Sequence, residues 1–238
     1  MKRALFVELQ VARARKRPAA VVTNVLSGDQ LLVDGDHLVG DLTLDDAQMA
    51  AVRYAIEEDR SGLLEDSYIF VHVFNPPLRM IVVGAVHIAQ YLIPMATLAG
   101  YDVTLVDPRQ AWATDARFPD IKVRHDWPDD AMRALKPDRR TAVVTLTHDP
   151  KLDDPALEGA LKSAAFYIGA LGSTRTHSKR LERLREAGVG ADDLVRIHGP
   201  IGLAVGARSP AEIAVAILAQ VIQVRHGAPP LIRAEAAE

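Results

Sequence analysis

Apolar positions follow two different rhythms along the chain, and the change comes near residue 78. Residues 79–83 form a continuous apolar run that stops at Gly84. Residues 86–99 carry apolar side chains at helical spacing, and Gly100 closes that segment. A second apolar run, 101–106, ends at Asp107. Strand, helix and strand in roughly 30 residues make a βαβ unit. The alternation continues with a weaker strand at 121–123, a helix from Pro128 and a strand at 141–146. A helix from Asp154, a strand at 166–171, a helix at 174–187, a strand at 194–197 and a helix at 210–225 complete it. Strands apolar throughout, with helices between them, predict an α/β fold with a parallel sheet covered on both faces. Cap chemistry agrees. Asp154-Pro155 reads as an N-cap followed by proline at the first helical position. Ser209-Pro210-Ala211-Glu212 reads as a capping box.

The first 77 residues read differently. Residues 2–16 predict an amphipathic helix with Leu5, Leu9 and Ala12 on one face and Arg13, Arg15 and Lys16 at its end. Cations suit a last helical turn because they oppose the helix dipole. Two β-like runs, 19–26 and 30–33, flank Ser27-Gly28-Asp29 and predict a hairpin. Thr43 offers an N-cap for a helix running to about Asp59, and 68–74 is a further strand. Asn75-Pro76-Pro77 cannot continue a central strand, because proline lacks the donor. The expected organisation is a small α+β N-terminal module at 1–77, a parallel α/β domain at 78–226 and a frayed tail at 227–238.

Composition removes several function classes. The 238 residues include no cysteine, which excludes disulfides, thiolate nucleophiles and cysteine-held metals or clusters. A net charge of −3 argues against an extended nucleic-acid surface. No run approaches the roughly 20 apolar residues of a membrane span, and the charged N-terminus lacks a signal-peptide core. A cytoplasmic location is the expectation.

In a doubly wound sheet, ligands bind outside the carboxyl ends of the strands. The turn Gly84-Ala85-Val86-His87-Ile88-Ala89 resembles a dinucleotide fingerprint, except that Val86 occupies the place of the second glycine. Asp107 stands where an acidic residue would bond a ribose hydroxyl, so NAD(P) binding remains an alternative, weakened by Val86. Asp107-Pro108 also suits a plain turn. Thr147-His148-Asp149 follows a buried strand. His148 beside a carboxylate suits a tuned base or a polar ligand contact, while Asp149-Pro150 equally suits a turn. Residues 169–177 bring Gly172, Ser173, Arg175 and His177 to a helix start, where free N–H groups and the dipole attract anions. Lys179 and Arg180 add positive charge; a capped helix with a solvated basic turn is the plainer reading. His198, Gly202 and Gly206 follow the last strand. No HxH or HxxxH spacing supports a metal site.

The runs THDPKLDDPAL (147–157), YIGALGSTRTHSKRL (167–181) and HGPIGLAVGARSPAEIAVAIL (198–218), with GAVHIA (84–89) and VDPR (106–109), resemble the xanthine dehydrogenase accessory (XdhC/CoxI) family. The resemblance covers about 78–225 and implies a Rossmann-like domain. It implies a maturation factor that binds molybdenum cofactor (molybdopterin) as cargo. Such a factor assists sulfuration of the cofactor, or its insertion into a molybdenum hydroxylase of the xanthine dehydrogenase type. The contacts expected for that cargo are those standing at the strand ends, Gly84, His87, Asp107, His148, Asp149, Gly172, Ser173, Arg175, His177 and Gly202. The implied partners are a sulfur-donating desulfurase and the molybdenum hydroxylase, and the sequence leaves a homodimer open. Ala204 stands where the family run carries an acidic residue. Residues 1–74 lack the family's Gly-Ser-x-Pro-Arg and Gly-Gly-Cys-x-Glu segments, so the resemblance is to a short form with a reduced N-terminal domain.

Overall fold

The structure is a computed structural model and describes residues 1–229. Most of the segment expected as a frayed tail lies outside the described residues. Two compact units divide at Pro76 and Pro77.

The first unit runs α1 (Arg3–Ala14), β1 (Ala19–Asn24), β2 (Gln30–Asp34), β3 (His37–Gly40), α2 (Asp46–Glu57), β4 (Gly62–Leu63) and β5 (Ile69–Phe74). Its five strands form an antiparallel sheet in the order β3-β2-β1-β5-β4. Alternate residues of β1 face opposite sides, as the strand period requires. Ala19 and Val21 pack with Leu5, Leu9 and Ala12 of α1. Ala20 and Val22 pack with Val52 and Ala55 of α2. A helix on each face explains why β1 opens with four apolar residues in a row.

Three local features differ from the sequence reading. The α2 N-cap is Asp45 rather than Thr43. Asp45 accepts from the Gln48 N–H at 2.7 Å while the Gln48 side chain accepts from the Asp45 N–H at 3.1 Å. Strands β3 and β4, four and two residues long, are too short to show an apolar rhythm of their own.

The second unit continues with β6 (Arg79–Val83), α3 (His87–Leu98), β7 (Asp102–Val106), β8 (Lys122–Arg124), α4 (Pro128–Leu135) and β9 (Thr141–Thr145). Then come α5 (Pro150–Leu161), β10 (Tyr167–Ala170), α6 (Thr174–Glu186), α7 (Ala191–Leu194), β11 (Ile197–His198) and α8 (Pro210–Arg225). Six parallel strands lie in the order β11-β10-β9-β6-β7-β8. The chain starts at the middle, winds outward to β8, then crosses back to β9 and winds the other way. That is the doubly wound Rossmann arrangement. Met80 and Val82 of β6 pack beneath α3 and α8. Ile81 and Val83 pack beneath α4, α5 and α6. The expected parallel sheet with helices on both faces is therefore the observed one.

Helix α5 starts earlier than the sequence suggests. Asp149 caps it by accepting the Lys151 N–H at 3.0 Å, and Pro150 takes the first helical position. The second Asp-Pro pair, Asp154-Pro155, lies inside the helix. Residues 191–194 form the short helix α7 where the sequence suggests the start of a strand, and β11 keeps only two residues. The capping box of α8 is present, Ser209 accepting from the Glu212 N–H at 3.2 Å.

Candidate functional site

The reversal of strand order lies between β6 and β9, and there the ladder runs on into the turns. The Leu146 N–H donates to Val83 O at 2.9 Å, and the Gly84 N–H donates to Val106 O at 2.9 Å. Gly84 has φ +112°. A Cβ at Gly84 would stand 2.5 Å from Thr147 Cγ2. Glycine is needed there because the two lips of the crevice touch. Val86 sits just before α3 and packs inward against the core beneath that helix. His87, the first residue of α3, is exposed at the lip.

Asp107 lies directly under this turn and is fully buried. Its Oδ2 accepts the Ala85 N–H at 2.8 Å and Arg109 Nη2 at 2.8 Å. Its Oδ1 accepts the Arg109 N–H and Nε, both at 2.9 Å. Burial alone would raise this carboxyl, but the guanidinium and the two backbone N–H groups outweigh it and hold the pKa below the ordinary value. Arg109 also lies over the Trp112 ring at 5.1 Å. Asp107 thus fixes the lip from beneath and presents no surface of its own. Beyond Arg109 opens a recess of about 280 Å³, lined by Pro108, His125, Trp127, Asp149 and Lys151 among others.

The β9–α5 turn is held by a second buried carboxylate, Asp153, which is 1 % exposed. It accepts the Thr147 hydroxyl at 2.6 Å, the Thr147 N–H at 3.3 Å and the His148 N–H at 3.1 Å. His148 is thereby locked at φ +62°, a conformation unusual for a side-chain-bearing residue, and its ring stands exposed at the tip. Burial pushes the Asp153 pKa up despite these bonds and the nearby Arg180 charge. Arg180, from α6, approaches Asp153 at 3.5 Å and donates to Leu171 O at 2.7 Å. Burial likewise lowers the Arg180 pKa, so their attraction does not offset the burial of either partner. The contact ties the β9–α5 turn to the β10–α6 turn.

Ser173 caps α6, accepting the Thr176 N–H at 3.2 Å. Gly172 before it has φ +148° and abuts the Thr176 side chain. Arg175 and Lys179 are exposed on the first turns. The His177 ring lies against Gly199, where a Cβ would stand 2.2 Å from Nδ1. Burial, with the Arg180 charge beside it, lowers the His177 pKa. Gly202 approaches the α8 backbone, and its N–H donates to Gln220 Oε1 at 2.8 Å. The same oxygen accepts the Tyr167 hydroxyl at 2.6 Å, and Tyr167 stacks on His198 at 4.8 Å.

Four turns therefore join into one rim. The β6–α3 turn meets β9–α5 through Gly84 and Thr147, that turn meets β10–α6 through Asp153 and Arg180, and His177 meets the segment after β11. The exposed members of the sequence-read set are His87, His148, Ser173 and Arg175. Gly84, Asp107 and Gly202 lie under or behind the rim. Sequence reading missed Thr147, Arg109 and Asp153 as the groups that set its shape. The repeated Asp-Pro pairs were the available signal, but nothing local says which aspartate turns inward. Among the described residues, no three His, Cys, Asp or Glu side chains are grouped to hold a metal ion. No described helix is long and apolar enough to cross a membrane.

Comparison with known proteins places these turns in a family. The XdhC Rossmann domain model matches residues 80–221, more than half of the chain. The uncharacterized protein YqeB of Escherichia coli K12 is 30% identical over 179 residues, covering 74% of this chain and 32% of that protein. The molybdenum cofactor insertion chaperone PaoD, also of Escherichia coli K12, is 33% identical over 152 residues, covering 64% of this chain and 42% of PaoD. A probable xanthine dehydrogenase subunit from Bacillus subtilis 168 is 30% identical over 160 residues, covering 66% of this chain and 46% of that protein. The chain thus spans less than half the length of these relatives. A crystal structure described as a xanthine dehydrogenase (BH1974) from Bacillus halodurans shares the fold. Its TM-score is 0.72 at 23% identity, covering 92% of this chain and 66% of that one. The chain belongs to the XdhC family, and its Rossmann unit carries the family domain.

Proposed function

We propose that the protein binds molybdenum cofactor at the carboxyl rim of its parallel sheet and presents it to a molybdenum hydroxylase of the xanthine dehydrogenase type. One observation carries this reading: the turns that match the family domain are joined by specific contacts into one rim at the strand-reversal crevice. Ligands of open α/β sheets bind at that place. The name of PaoD, an insertion chaperone for this cofactor, supports the choice of cargo.

The roles follow from placement. Exposed His87 and His148 stand on the two lips and would offer polar contacts to the bound cofactor. Ser173 and Gly172 shape the start of α6, and Arg175 offers a charged donor to the cofactor phosphate. His177 backs this turn. Asp149 caps α5 and lines the recess. Asp107 and Gly202 act from behind, holding the backbone that carries the rim. With no cysteine, the chain has no thiol to form a persulfide. Sulfur for the cofactor then comes from a desulfurase partner, and this protein holds and presents the cargo. The proposed place of this work is the cytoplasm.

Arg175→Ala tests the cradle. A charged hydrogen bond contributes about 1.5–3 kcal/mol, so equilibrium binding of molybdopterin should weaken by roughly 10- to 150-fold. Unchanged affinity removes Arg175 from the site.

A further inference from the structure

Arg180 leaves most of its donors unused. It is the largest fully buried residue among the described residues, its side chain 2 % exposed, and of its nitrogens only Nη2 has hydrogen-bond partners, Leu171 O and Asp153. Nε and Nη1 are buried with none. Buried guanidinium N–H groups without partners are uncommon and call for an explanation. Nη1 points toward the turn before α6, lying 3.8 Å from where a Gly172 Cβ would stand.

A second orphan stands one turn away on the same helix. His177 Nδ1 is buried and has no partner, its ring against Gly199. Positions three apart share one helix face, so both residues stand on one face of α6, with Arg180 Nη1 nearer the Gly172 turn and His177 Nδ1 against Gly199. That helix is 13 residues long, and only its third N–H is capped, by Ser173. The first N–H groups of a helix attract anions through their free donors and the dipole.

We infer that Arg180, His177 and the first N–H groups of α6 form a site for a tetrahedral phosphate dianion, reached when the Gly172 turn moves aside. Arg180 supplies the charged donors, a neutral His177 donates from Nδ1, and Thr174 and Arg175 donate from the backbone. Asp153 positions Arg180, so occupancy of the site bears on the turn that presents His148. The phosphate is either the monoester of the bound pterin, which rests on the function proposed above, or free phosphate.

The test is calorimetric titration of the full chain with inorganic phosphate and with glycerol 3-phosphate, glycerol serving as the uncharged control. Both anions should bind at millimolar concentration, and tighter binding of the ester assigns the site to a phosphorylated ligand. Arg180→Met should weaken both anions by at least about tenfold, as expected for loss of a charged donor. His177→Ala should weaken them severalfold, with melting curves confirming that each variant folds. If Arg180→Met fails to fold, a phosphate-dependent shift of the Arg180 Nε–H resonance in the unmodified protein decides instead. No heat with either anion, or variants that bind as the parent does, overturns the site. Molybdopterin binding without phosphate binding overturns the anion site alone. Phosphate binding lost in Arg180→Met, in a protein that carries no pterin, overturns the cargo alone.

Discussion

Asp107 shows how one residue can be read correctly for position and differently for role. Its place after the second strand of a βαβ unit is visible in the sequence. What is not visible there is that Arg109, two residues on, folds back to meet both carboxylate oxygens. The pair holds Ala85 and so fixes the turn that carries His87. Because the folded pKa is depressed, this stabilisation is fully present above the unfolded value of about 3.9. It is lost as pH falls through the folded value. Asp107→Asn should therefore destabilise the protein by about 1.5–3 kcal/mol at pH 7. In denaturant melts the gap to the parent should be narrower at an acid pH below the depressed folded pKa than at pH 7, as the parent's own carboxyl takes up its proton. An equal gap at both pH values would remove the ion pair from the account. Gly84 teaches a related point. The sequence marks it as a glycine turn, but the atom that forbids a side chain belongs to Thr147, across the crevice. Contacts of that kind have no local signature.

At the scale of elements, the apolar rhythm recovered every strand of the parallel sheet and nearly every helix, because continuous apolar runs and helical spacing are local properties. Boundaries failed where two residues competed for one role. Asp149-Pro150 and Asp154-Pro155 are the same dipeptide, and only the first caps α5. The choice depends on Asp153, which turns inward to hold the Thr147-His148 backbone and so sets where the helix can begin. This strained turn yields a sharp prediction. A left-handed residue with a side chain costs of order 1–3 kcal/mol. His148→Gly removes that strain while adding freedom to the unfolded chain. Thermal stability should be unchanged or raised by up to about 1 kcal/mol, while cofactor affinity falls. A variant that loses stability and keeps its affinity would make His148 a structural residue only.

Across the whole molecule, the family domain accounts for the second unit, and the first unit is a separate sheet covered on both faces. The relatives are at least twice as long as the segments this chain matches, so they carry further regions that the matched segment does not include. The lack of cysteine narrows the central claim to holding and presenting a cofactor. The most direct measurement is mass spectrometry of small molecules released from natively purified protein, produced in cells that make molybdenum cofactor. The account predicts molybdopterin or its oxidised fluorescent derivatives, in an amount approaching one per chain and reduced in Arg175→Ala. Released NAD(P), or protein free of pterin when drawn from cofactor-replete cells, would contradict it.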